Sequence, residues 1–120
     1  ATRVSGFVNA PSLMQRVAAA CCDDTSDISV YAENRRLLLD GLRSMGFTCV
    51  EPDGTFYMFP KALEESAAAF CEKAKQHDLL LVPSDSFGVP GHFRISYCVP
   101  TEKVERSIPV FEQLAREYGI

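Results

Sequence analysis

The order of hydrophobic patterns along this chain predicts a two-layer α/β sandwich of the α+β kind, a small, mostly antiparallel sheet with helices packed on one side. Three observations carry that expectation. Helical stripes and short period-two runs follow one another as helix, helix, strand, strand, helix, strand, strand, helix. Turn residues punctuate the strands at Pro52-Asp53-Gly54 and again from Pro83 to Gly91. The chain has 120 residues, 47% of them apolar and 23% charged, which suits a single globular domain with one core.

The elements follow in order. "PSLMQRVAAACC" (Pro11 to Cys22) sets helix formers behind a Pro-Ser start. "DDTSD" interrupts, with Ser26 or Asp27 placed to cap a longer helix. Ile28, Tyr31, Leu38, Leu42 and Met45 share its stripe, and Gly46 ends it. "FTCVEPDGTFYMFPK" reads as two short strands about the Pro52-Asp53-Gly54 turn, with proline setting φ and glycine supplying a positive one. A third helix puts Leu63, Ala67, Phe70, Cys71 and Ala74 on one face. Leu79 to Val82 is short and wholly apolar, as a buried strand would be. A turn-rich loop, "PSDSFGVPG", leads into the next strand. The last helix starts near Thr101 as N-cap, and Pro109 inside it predicts a kink or a restart.

"PGHFRISYC" (Pro90 to Cys98) carries the most chemistry. Phe93, Ile95 and Tyr97 alternate with Arg94, Ser96 and Cys98. Arg94 therefore faces away from the apolar side of the strand. It meets water, or an acid in an exposed pair worth about 0–1 kcal/mol, or an anion that its planar fork grips with two parallel hydrogen bonds. Spacing does not choose among these.

Composition narrows the classes. A formal net charge of −4 offers no basic stripe for nucleic acid. No apolar run approaches the roughly 20 residues of a membrane span, and the start lacks the basic-then-apolar order of a signal peptide. Cysteines 21, 22, 49, 71 and 98 show no C-x-x-C spacing, and His77 and His92 are isolated, so no metal site is expected. Free thiols in a reducing cytoplasm are the plain reading. The opening "ATRVSGFVNAPS" has no methionine and reads as the middle of a loop, which suggests an excised or processed piece.

"PGHFRISYC" preceded by "LLLVPSDSFG" resembles the C-terminal signature of the fold-type I pyridoxal-phosphate aminotransferases, class I/II, the aspartate and aromatic aminotransferase relatives. "GFVNAPSLMQRVAA", "YAENRRLLLDGLRSMGF", "PDGTFYMFPK" and "VERSIPVFEQLAREYG" resemble the family in the same order, so the likeness covers essentially the whole chain. It implies that residues 1–120 are the family's C-terminal small domain. Arg94 then holds the α-carboxylate of an amino acid or 2-oxo acid substrate, and Phe56 lines the substrate pocket or fills the core. It implies a homodimer, with "RVSGFVNAP" passing near the neighbouring subunit's site; Arg3 lies there, and reads more simply as a loop charge. Ser84, Asp85 and Ser86 fall in a turn that suits small polar residues, where relatives more often carry glycine. His92 and Cys98 have no partner in sequence to suggest a relay or a nucleophile.

The resemblance also defines what is missing. The family's cofactor, pyridoxal 5'-phosphate, is bonded by a lysine that shuttles the proton, and is held by an aspartate, a tyrosine or asparagine, and a phosphate cup. All of these belong to a large domain N-terminal to this segment. Lys61, Lys73, Lys75 and Lys103 lack the family lysine's Ser-rich setting, so the chain alone is expected to carry no catalytic residue and no activity. Two rivals remain: the small domain of a related lyase or synthase, and a free-standing module that binds a small carboxylate.

Overall fold

The computed structural model describes residues 10–120. Four α-helices, α1 (Ser12–Ala20), α2 (Ser29–Ser44), α3 (Ala67–Lys75) and α4 (Thr101–Glu117), accompany three strands, β1 (Tyr57–Met58), β2 (Val82–Pro83) and β3 (Phe93–Ser96). A 3₁₀ turn at Asp85–Phe87 follows β2. The sheet order is β1-β3-β2 with both pairings antiparallel, so β3 is the central strand. Helices α2, α3 and α4 pack on one face, as the patterning predicts. No helix of the described residues is long and apolar enough to cross a membrane.

The core is built on phenylalanine. Phe47 sets its ring edge against Phe70, Phe93 and Phe111 at 6.2, 6.2 and 6.0 Å, and Phe70 stacks on Phe93 at 5.0 Å. Offset and edge contacts of this kind suit the ring quadrupole. Leu38 and Leu42 of α2, Val104 and Leu114 of α4, and Tyr97 close the cluster. α2 and α4 approach closely at Gly41, where a Cβ would stand 2.6 Å from Ile108 Cδ1.

Several boundaries differ from the sequence expectation. Ile28 caps α2, and Asp27 instead lends its carboxylate to Ser29 N–H at 2.8 Å. Ile28 and Tyr31 stay exposed at 68% and 41%, so only the later part of the stripe reaches the core. The segment 47–50 forms no ladder. Arginines of α2 take one carbonyl within it and one just beyond: Arg43 donates to Cys49 O at 3.0 Å and Arg35 to Pro52 O at 2.7 Å. In the turn, positive φ falls at Thr55 (65°) rather than at Gly54.

α3 begins at Ser66, whose Oγ accepts from Ala69 N–H, and buries Ala67, Phe70, Cys71 and Ala74; Leu63 packs on the core from just before the helix. The run Leu79 to Val82 alternates rather than being wholly buried: Leu79 is in the core, whereas Leu80 is 82% exposed and Val82 lies beside Arg94 on the open face. Pro100 precedes α4, so Thr101 is its first residue and not its cap. Pro109 neither ends nor restarts α4. It sits on the exposed side, where water can take the carbonyl its missing N–H leaves free.

Candidate functional site

The register of the sheet determines what surrounds Arg94. Tyr57 pairs with Ser96, Met58 with Ile95 and Lys61 with His92, so Phe59 falls opposite Arg94 on one side. Val82 pairs with Arg94 on the other. Because strand side chains alternate, Phe93, Ile95 and Met58 turn to the helices, while Arg94, Tyr57, Phe59 and Val82 share the helix-free face. β3 is the strand that can place one side chain between two neighbours, and Arg94 occupies that place.

The half-buried guanidinium is flanked by aromatic rings. Its Cζ lies 4.5 Å from the ring centroid of Tyr57, on the β1 side, and 4.5 Å from that of Phe87, just after β2. Phe87 in turn meets Phe59 edge-on at 6.1 Å. Among the described residues the Arg94 side chain makes no ion pair and no hydrogen bond. Rings on a cation contribute about 0.5–2 kcal/mol and leave the N–H edge free. A cation held by its faces, with its donors unspent, has the geometry that can receive a planar anion.

The other named residues take separate places. Phe56 does not share Arg94's face: its N-terminal end of the strand pairs with Tyr97, whose N–H donates to Phe56 O at 3.0 Å. Its ring, 42% exposed, lines an open groove of about 540 Å³ with Ile28, Tyr31 and Arg35. Its ring meets Tyr57, which flanks Arg94, at 4.5 Å between centroids. His92 places Nδ1 3.0 Å from Pro90 O, a turn contact. Cys98 is exposed, with Sγ 3.0 Å from Ser96 Oγ. Asp85 and Ser86 are exposed in the 3₁₀ turn, whereas Ser84 is fully buried. Arg3 lies outside the described residues.

Two further anchors were not anticipated from the sequence, the amide of Asn34 and the hydroxyl of Tyr97. Asn34 is buried on α2 and donates through Nδ2 to Tyr97 O (3.0 Å) and Val99 O (2.7 Å), fixing the exit of the arginine strand. Tyr97 donates its hydroxyl to Thr55 O at 2.5 Å, tying the same strand to the turn before β1. Asn34 stands on the apolar stripe of α2 between Tyr31 and Leu38, and a polar residue there was the available signal.

Thiol and metal chemistry find little footing. Burial is the main cause that pushes Cys49 up and Cys71 to about 11, so both stay protonated. No cluster of three or more His, Cys, Asp or Glu among the described residues could hold a metal ion.

With this geometry in view, the comparisons with known proteins are informative. The sequence model of the family described as aminotransferase class I and II matches residues 1–111. The chain belongs to that family. An amino transferase from Eubacterium rectale, known from its crystal structure, superposes with a TM-score of 0.89 and 51% identity over 98% of this chain and 30% of its own. The aspartate aminotransferase of Thermotoga maritima is 26% identical over 112 residues, 92% of this chain and 29% of its own length. The aromatic-amino-acid aminotransferase 2 of Thermococcus litoralis is 34% identical over 92 residues, 72% of this chain and 24% of its own. This aminotransferase-family chain thus spans less than a third of these relatives.

The family implies pyridoxal 5'-phosphate, and the described residues do not fit it. Lys73 pairs with Glu117 at 3.2 Å and Lys75 with Glu72 at 3.7 Å. Lys103 is exposed on the first turn of α4. Lys61 is exposed as well, bridged to His92 beside the sheet. Three of the four are exposed and the half-buried Lys73 is paired with a carboxylate, unlike an amine desolvated for covalent work on a cofactor.

Proposed function

We propose that this chain is the C-terminal small domain of a pyridoxal-phosphate-dependent aminotransferase, and that Arg94 grips the α-carboxylate of the amino acid or 2-oxo acid substrate. The observation that carries the reading is the state of Arg94: central strand, helix-free face, guanidinium between Tyr57 and Phe87, and no carboxylate of the described residues pairing with it. An arginine kept merely for solubility needs no such setting.

In this reading the helix-free face turns toward the cofactor-bearing domain. That domain supplies the cofactor, whose chemistry carries the amino group. Arg94 orients the substrate so that its amine and Cα–H bond meet the reacting centre. Phe59, Phe87 and Val82 form an apolar surround that excludes water once the domains close. Phe56 serves at one remove, backing Tyr57. The active protein is a homodimer acting in the cytoplasm, and the 120-residue chain is inactive alone.

The test is Arg94→Ala and Arg94→Lys in the complete enzyme, with several amino donors. Each hydrogen bond to a charged group contributes about 1.5–3 kcal/mol, so substrate affinity should fall on the order of a hundredfold or more while the cofactor's absorbance stays unchanged. Lysine cannot reproduce the fork and should rescue little. Unaltered steady-state kinetics would overturn the assignment. Release of free ammonia or a thiol, with no amino group passed to a 2-oxo acid acceptor, would instead point to a related lyase.

A further inference from the structure

The loop between β2 and β3 carries Phe87 and encloses one buried hydroxyl, that of Ser84. Ser84 is 0% exposed, unlike the other small polar residues of that loop. Its N–H donates to His92 O at 3.0 Å, and its own carbonyl accepts from Phe87 N–H (2.9 Å) and Val89 N–H (3.3 Å). Its Oγ lies 2.6 Å from Val89 O and 2.7 Å from His92 O. One hydroxyl proton thus serves two carbonyls from the far side of the loop. Gly88 completes the turn at φ +76°, a conformation that suits glycine.

We propose that Ser84 is a positioning residue of the carboxylate site: it holds the 84–92 loop closed and so holds Phe87 against the Arg94 guanidinium. The inference rests on the reading of Arg94 given above. Ser84 touches no substrate. It acts through Phe87, whose ring centroid lies 4.5 Å from the arginine Cζ, and a guanidinium steadied by that ring loses less freedom when a carboxylate docks.

The experiment is a double-mutant cycle in the complete enzyme, with Ser84→Ala, Phe87→Ala, both together, and Phe87→Tyr as the conservative variant. Phe87 is 47% exposed, so its variants should fold. Ser84→Ala and Phe87→Ala should each raise KM for the amino donor roughly three- to tenfold with kcat within about twofold, the pattern of lost substrate binding. The double variant should be no worse than Phe87→Ala alone, and Phe87→Tyr should restore KM to within about twofold. Additive losses, or a Ser84→Ala enzyme that melts earlier with KM unmoved, would overturn the inference. Should Ser84→Ala fail to fold, Ser84→Gly is read in its place by the same criteria. If Arg94→Ala weakens binding while the Ser84 and Phe87 variants do not, only this inference falls. If Arg94→Ala itself has no effect, the reading beneath it falls too.

Discussion

Asn34 Nδ2 donates to Val99 O at 2.7 Å, so that a helix amide holds the chain where β3 gives way to α4. The same nitrogen bonds Tyr97 O, while Asn34 Oδ1 finds no partner among the described residues. The residue therefore acts as a donor alone. Asn34→Ala would strand two buried carbonyls, each costing about 1–3 kcal/mol, and should lower stability by roughly 2–4 kcal/mol in urea unfolding. Asn34→Asp offers acceptors to acceptors, and should be worse near neutral pH. An aspartate variant as stable as the wild type would contradict this account of the strand's exit.

Thr55 presents the opposite case, a residue in the wrong conformation. A β-branched side chain at φ 65° is strained, and this one is exposed, with no packing to compensate. Thr55→Asn keeps the carbonyl that Tyr97 bonds and tolerates the left-handed region better. It should stabilise the fold by about 0.5–1 kcal/mol, seen as a melting temperature a few degrees higher. An unchanged or lower value would show that the turn is not strained as argued.

Alkaline pH should weaken the fold through Cys71. Burial first, then the nearby charges of Asp85 and Glu72, raise its thiol from 9.0 to about 11. Between those values the folded state holds a proton that the unfolded chain has released. Stability is therefore full below pH 9 and falls as pH rises toward 11. Tyr97 and Tyr118 are also raised, chiefly by burial, and act from pH 10 upward. Urea midpoints measured at pH 8 and 10 should fall less steeply for Cys71→Ala than for the wild type; equal slopes would remove the thiol from the explanation.

Much of this architecture was legible in the sequence, and for identifiable reasons. Period-two alternation around Arg94 put Phe93, Ile95 and Tyr97 against the helices, where they are found. The stripe of α3 was read residue by residue because Ala67, Phe70, Cys71 and Ala74 all meet one core. The patterns failed where long-range partners replaced local rules. Residues 47–50 look like a strand, yet Arg43 and Arg35 of α2 take the carbonyls of Cys49, within the segment, and of Pro52, just after it. Leu79 to Val82 is apolar throughout, yet Leu80 is left on the open face, since composition cannot say whether a second layer covers a sheet. At the site, spacing predicted which way Arg94 points. It could not supply Phe87, which arrives from a loop, nor the hydroxyl of Ser84, whose partners are backbone carbonyls five and eight residues away.

The most direct test of the central claim separates the carboxylate from the rest of the substrate. In the complete enzyme, the equilibrium affinity of an unreactive α-methyl amino acid would be compared with that of its carboxamide, for the wild type and for Arg94→Ala. The account predicts that the wild type prefers the acid on the order of a hundredfold, in keeping with charge-assisted hydrogen bonds, and that Arg94→Ala loses most of that preference while binding the amide as the wild type does. If the preference survives without Arg94, another group holds the carboxylate and the central claim is wrong.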